Sequence, residues 1–285
     1  MKDELLVKQN LTTHLKQIVR ERDPYLATAG HFYVKQYIYQ ELSEFGIVEK
    51  HEFNVRGKTY ENLIVNLESD RTIANRPPIL IGAHYDAVPG SPGADDNATG
   101  VAVLLELARI LSAEATKFPI RLVAFDLEEY GLFGSKAYAN YLKQQKQKLR
   151  LVIDLEMLGY CARQPNSQKY PFGLKYFYPS QGDFVALIGN LKTIPDLIAL
   201  SKNMRHNNTV CEWLAVPFNG WIVPDTRRSD HAPFWDLGYR SLMVTDTSNF
   251  RNPYYHQPSD TLETIDLDFL TSVCMGLAKA IVRIS

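Results

Sequence analysis

The chain has 285 residues, 45% hydrophobic and 22% charged, which is enough for a sizeable core and excludes a disordered or fibrous protein. Lys and Arg number 31 against 32 Asp and Glu, a formal charge of -1, so a protein that lives by gripping nucleic acid is not expected. No apolar run reaches the roughly 18–20 residues that span a bilayer. The opening Met1–Leu5 carries no apolar signal-like stretch. Cys161, Cys211 and Cys274 are too scattered for a disulfide framework or a cysteine zinc knuckle. These bounds predict a cytoplasmic globular protein with neither nucleic acid nor membrane as partner.

No repeat, low-complexity tract or linker divides the chain, so one domain over 1–285 is expected, with N-terminal helices (about 1–46) packed on it. Leu11, Leu15, Ile18 and Val19 recur at helical spacing. A second helix carries Val34, Tyr37, Ile38, Leu42 and Phe45, with Gly46 as its expected C-terminal cap. Strand-like runs follow over Ile47–Val55 and Asn62–Leu67, with a turn at Gly57 between them. The centre then alternates: strand Pro78–Ala83, loop Val88–Ala98, helix from about Val101 to Leu111, strand Ile120–Phe125, helix from about Ser135, strand from Leu151. Residues 161–181 read as irregular, 241–244 as a strand and 266–284 as a closing helix. Strands separated by single helices imply an α/β fold, a mixed and largely parallel central sheet with helices on both faces. In such sheets the ligand site lies beyond the carboxyl ends of the strands.

Those ends carry His84-Tyr85-Asp86, Asp95-Asp96-Asn97, Asp126-Leu127-Glu128-Glu129 and Asp154-Leu155-Glu156, with Tyr255-His256 nearer the C-terminus. Massed carboxylates raise one another's pKa unless a cation intervenes. Imidazole and carboxylate donors without thiolates suit zinc, cobalt or manganese. His14, His31, His51 and His206 have no such neighbours and read as surface or structural. Three other patterns fail on spacing. Ser229-Asp230-His231 cannot form a relay from adjacent residues, and no G-x-S-x-G elbow exists. His51-Glu52 lacks a second His at Val55, and Gly57-Lys58-Thr59 lacks the glycine of a phosphate loop at Glu52.

GAHYD (82–86), GADDNATG (93–100), EEYGLFGS (128–135), LEMLGY (155–160), SDHAPF (229–234) and YHQPSDT (255–261) follow in that order. Together they resemble the co-catalytic zinc exopeptidases of the bacterial leucyl-aminopeptidase type, whose wider relatives include glutamate carboxypeptidases and glutaminyl cyclases. The resemblance implies two zinc ions, peptide substrates and the zinc-exopeptidase (phosphorylase/hydrolase-like) architecture. It assigns His84, Glu129, Glu156 and His256 as metal ligands, Asp96 as the bridge and Glu128 as general acid/base. Asp86 would fix the tautomer of His84, and Asp230 would stand close behind the site. The Asp96–Asn97 peptide would be cis. The family more often has Asp where this chain has Glu156, so Asp154 stays open as the alternative ligand.

Glu128 and Glu129 would face opposite ways if their backbone is extended. Tyr170–Tyr178, Trp213, Phe218 and Trp221 either wall a side-chain pocket or simply pack a loop-rich edge. Arg227 and Arg228 read as surface charge. The leading expectation is a metal-dependent aminopeptidase. The alternatives are a glutaminyl cyclase-like aminoacyltransferase, against which the short Glu129–Gly134 turn speaks, and a catalytically silent binding domain. The preferred side chain, the native metal and the oligomeric state are left open.

Overall fold

The computed structural model describes residues 2–67, 75–171 and 173–284. Two helices open it, α1 (Lys2–Ile18) and α2 (Thr28–Ser43), followed by the hairpin β1 (Val48–Val55) and β2 (Lys58–Asn66). The centre runs β3 (Ile79–His84), α3 (Gly100–Ser112), β4 (Ile120–Phe125), α4 (Phe133–Gln144) and β5 (Leu151–Glu156). Then come β6 (Val185–Asn190), α5 (Ile194–His206), β7 (Cys211–Val216), α6 (His231–Asp236), β8 (Ser241–Thr245) and α7 (Leu267–Arg283). The strands form one sheet in the order β1-β2-β4-β3-β5-β8-β6-β7. Its centre, β4-β3-β5-β8, is parallel throughout, and antiparallel pairings join β1 to β2, β2 to β4 and β6 to β8.

Strand periodicity divides the core. Ile79, Ile81, Leu122 and Ile153 face a cluster shared with α1, α2, α3, α5 and α7. Leu80, Val123 and Val152, the alternate residues, face Tyr138, Ala139 and Leu142 of α4 and Phe234 of α6. Helices thus cover both faces, which is why the central strands read as unbroken apolar runs. In α1, Leu11, Leu15 and Ile18 are wholly buried as their spacing predicts, while Val19 lies just past its end and is half-buried.

Three expectations need correction. Gly46 does not cap α2: the helix stops at Ser43, and the right-handed Glu44 closes it by donating its N–H to Glu41 and Leu42 carbonyls. Gly46 instead lies against β2, where a Cβ would stand 3.0 Å from Val65 Cγ2. The second strand begins at Lys58, not Asn62, because all eight residues of β1 pair across the hairpin. Finally, β6, α5, β7 and α6 are elements that the sequence pattern does not predict; most of β7 is half-buried and shows no clean alternation.

His14 of α1 faces the Tyr37 hydroxyl of α2 at 2.7 Å, with Glu41 at 4.0 Å. Burial, helped by Arg109, lowers its pKa from 6.5 to about 4. Between those values the unfolded chain binds a proton that the folded one refuses, so stability falls as pH drops through that window. The loss is at most about 3 kcal/mol at ~1.4 kcal/mol per unit. His14→Gln should flatten this part of the profile, read as urea midpoints at pH 7.5 and 4.5; an unchanged slope would contradict it.

Candidate metal centre

The carboxyl ends of β3, β4 and β5 lie side by side, and each hands a chemically distinct group to the same rim. His84 is the last residue of β3, and Glu156 the last of β5. Asp96 lies on a wide turn, Ala94–Thr99, just ahead of α3, and the Asp96–Asn97 peptide is cis, as the resemblance implied. Glu128 and Glu129 follow β4, and His256 comes from the loop between β8 and α7 with a positive φ of 59°.

The two oxygens of Asp96 face different partners. Oδ1 is 3.4 Å from His84 Nε2, which also lies 3.6 Å from Glu156 Oε2. Oδ2 is 3.1 Å from His256 Nε2, which in turn is 3.2 Å from Glu129 Oε2. Donor atoms of His84, Glu128 and Glu156 lie within 4.8 Å of one another, as do those of His84, Asp96 and Glu129. All eight residues expected at the site are therefore neighbours or lie directly behind it. Glu156, not Asp154, meets His84; Asp154 turns to the backbone N–H and Nδ1 of His231, at 3.0 and 3.2 Å.

Electrostatics show how uneasy this cluster is on its own. Burial and the charges of Glu129, Glu156 and Asp230 hold the Glu128 carboxyl well above its usual range, against the pull of His84. Burial and Asp96 raise Glu129 to about 7. Burial alone would lower His256, yet Asp96 and Glu129 lift it to about 10, and the same contact helps depress Asp96. His84 Nε2, Asp96 Oδ2, Glu129 Oε1 and His256 Nε2 are buried and, close contacts among themselves apart, make no well-formed hydrogen bond among the described residues. Buried polar atoms are seldom left so. Nitrogen and oxygen donors converging without thiolates fit divalent zinc.

The surrounding shell aims these donors. Asp86 accepts from the backbone N–H groups of Glu128 (3.1 Å) and Glu129 (3.2 Å), while its Oδ1 faces His84 Nδ1 at 3.4 Å. It thus positions the paired glutamates as well as the imidazole. Asp86→Ala should weaken zinc binding about 10–100-fold, the usual cost of losing such a partner, measured by competition with a chelating dye; wild-type affinity would contradict the assignment. Ser229 donates to Glu156 Oε2 at 2.5 Å, and Tyr255 stacks on His256 with ring centroids 3.8 Å apart. Asp260 accepts the N–H groups of Asp95 and Asp96, and Asn97 bonds the Leu155 carbonyl and the Met157 N–H. Asp230 is buried behind the cluster, both oxygens lacking a partner among the described residues.

Glu128 and Glu129 sit on a turn, not on extended backbone: the N–H groups of Gly131 and Leu132 both bond the Glu128 carbonyl. Their divergence comes from the turn and from Asp86. Sequence reasoning also left Ser229, Asp260, Asn97 and Tyr255 without roles, although all lie inside the quoted motifs. Arg22 and Asp23 lie outside every one of those motifs.

Beside Glu156 opens a pocket of about 100 Å³, walled by Tyr170, Tyr178, Phe184, Trp213, Met243 and Phe250. Phe218 and Trp221 are not on that wall and stand 73% and 67% exposed. Arg227, expected as surface charge, has a side chain only 12% exposed, which donates to the Asn219 carbonyl and pairs with Asp236. Arg228, expected to be the same, lines the pocket instead and donates to the Tyr255 hydroxyl at 2.9 Å.

Comparison with known proteins places this geometry. The chain is 34% identical over 244 residues to the uncharacterized protein YfbL of Escherichia coli (strain K12), covering 81% of this chain and 73% of that protein. It is 28% identical over 232 residues to aminopeptidase YwaD of Bacillus subtilis (strain 168), covering 79% of this chain and 46% of the other. The solved structure of BSAP, a zinc aminopeptidase from Bacillus subtilis, superposes with a TM-score of 0.57 at 26% identity, over 80% of this chain and 50% of that one. The chain thus spans about half the length of these two aminopeptidases. The model of Peptidase family M28 matches residues 62–281, and the chain belongs to that family.

Proposed function

We propose that this chain is a zinc aminopeptidase that removes N-terminal residues from peptides. His84, Asp96 and Glu156 would hold one zinc, and Asp96, Glu129 and His256 the other. The observation that carries this reading is the Asp96 carboxylate, whose two oxygens face separate nitrogen–oxygen donor pairs. The names of the aminopeptidase relatives point the same way. Bound zinc lowers the pKa of water and polarises a carbonyl. Glu128 lies at the His84–Glu156 side, where its carboxylate takes the proton of the attacking water and passes it to the departing amine.

The pocket beside Glu156 accepts the side chain of the residue being removed, and its aromatic wall favours bulky apolar ones. The N-terminal helices share the main core, which supports one catalytic domain over the whole chain. All three cysteines are free, which agrees with a reducing, cytoplasmic compartment. No helix among the described residues is long and apolar enough to cross a membrane.

The test is elemental analysis together with a panel of aminoacyl chromogenic substrates and N-terminal Gln peptides, with and without chelator. Two zinc ions per chain and chelator-sensitive release of bulky apolar residues are expected. Cyclisation of Gln peptides without hydrolysis, or an inert protein free of zinc, would contradict the reading.

A further inference from the structure

The loop between α1 and α2 contains a fully buried cation, Arg22, and the reaction as described above does not use it. Arg22 is fully buried, and its guanidinium makes five hydrogen bonds, every one to a backbone carbonyl. Nε donates to Tyr85 at 2.9 Å, between His84 and Asp86. Nη1 donates to Pro92 at 2.6 Å and to Arg20 at 3.3 Å. Nη2 donates to Gly93 at 2.9 Å and to the carbonyl of Asp96 itself at 3.1 Å. Gly93 permits this approach: its φ is +59°, and a Cβ there would stand 2.3 Å from the Asp96 carbonyl and 2.8 Å from Arg22 Nη2. The next residue reaches the other loop. Asp23, also buried, accepts the Tyr130 hydroxyl at 2.5 Å, and Tyr130 directly follows Glu129.

We propose that this segment is a strap that positions the metal ligands: Arg22 fixes the connection that leads from His84 to Asp96, and Asp23 fixes the turn bearing Glu128 and Glu129. The inference rests on the zinc reading of the site. It goes beyond the family match, which begins at residue 62 and leaves both residues outside.

Two physical points separate a strap from ordinary core packing. Burying a guanidinium is costly, and an arginine kept for charge alone would meet a carboxylate. Here the hydrogen bonds all go to main-chain oxygens, while Asp96, Asp260, Asp86 and Glu129 supply negative potential from close by. A positive charge beside the centre also opposes cation binding once zinc is present. The favourable contribution of Arg22 therefore lies in geometry, because its divergent donors tie four carbonyls of the connection between β3 and α3, and that of Arg20, to one side chain.

Zinc titration of purified, metal-stripped protein against a chromophoric chelator tests this, with thermal midpoints recorded in parallel. Arg22→Lys keeps the charge and the aliphatic stem but cannot reach all five carbonyls. It should weaken zinc about 10–100-fold, in the range seen when partners of ligands are lost. Tyr130→Phe removes one hydroxyl. It should weaken chiefly the zinc held by Glu129 and His256, about 10-fold by the same rule, and saturating zinc should restore its kcat. The visible spectrum of the cobalt-substituted form should change in both variants. If Arg22→Lys does not fold, Tyr130→Phe decides alone. Folded variants with wild-type zinc affinities and cobalt spectra would overturn the strap while leaving the zinc reading intact. A wild-type chain that binds no zinc would instead remove both.

Discussion

Replacing Glu128 by Gln should leave zinc content at the wild-type level and lower kcat by a factor of about 10²–10⁴, the usual contribution of a positioned acid/base. Gln matches Glu in shape, and the residue's backbone N–H still reaches Asp86. What disappears is the carboxylate that carries the proton. Its position supports this division of labour. Glu128 approaches His84 and Glu156, whereas the contacts between Asp96 and the two histidines, and between His256 and Glu129, are made without it. KM should move little, because a proton carrier contributes mainly to the transition state. Turnover within a few-fold of wild type would remove Glu128 from the chemistry. Loss of zinc would make it a ligand instead.

Asp96→Asn should have a broader effect. Among the described residues, Asp96 presents one oxygen to the His84–Glu156 pair and the other to the His256–Glu129 pair. The amide keeps the volume but gives up the negative charge shared by both sides. Zinc should fall from two ions per chain to less than one, and activity with it. Glu156→Gln, which touches one side only, should keep one zinc per chain. Elemental analysis after dialysis against a fixed low zinc concentration separates these outcomes. Equal zinc contents in the two variants would contradict a bridging role.

The contrast between these variants also shows what the amino-acid pattern made legible. His84 and Glu156 end buried, largely apolar strands, so the alternation of strands and helices points to them. Asp96 and the Glu128–Glu129 pair stand in loops that follow such runs, where carboxylates have no packing reason to gather. His256 was legible only through its motif, because it comes from an irregular loop between β8 and α7.

Other features depend on contacts that no local pattern encodes. Arg22 and Asp96 lie 74 positions apart and meet through backbone carbonyls, which carry no residue-type signature. Asp154 and Glu156 share one strand and differ only in what lies opposite: His231 for one, His84 for the other. The extended backbone expected at Glu128–Glu129 gave way to a turn. Asp86 and the Glu128 carbonyl satisfy the backbone N–H groups there in place of a neighbouring strand. The aromatics divided by position along the fold. Tyr170, Tyr178 and Trp213 reach the pocket, while Phe218 lies in a left-handed turn that turns it toward solvent.

The central claim is that one carboxylate divides a pair of metal sites. Anomalous diffraction from zinc-soaked crystals, collected on both sides of the zinc absorption edge, tests it most directly. Two peaks are expected, one between Asp96 and the His84–Glu156 pair and one between Asp96 and the His256–Glu129 pair. A single peak, or zinc bound to other side chains with Asp96 uncoordinated, would contradict it.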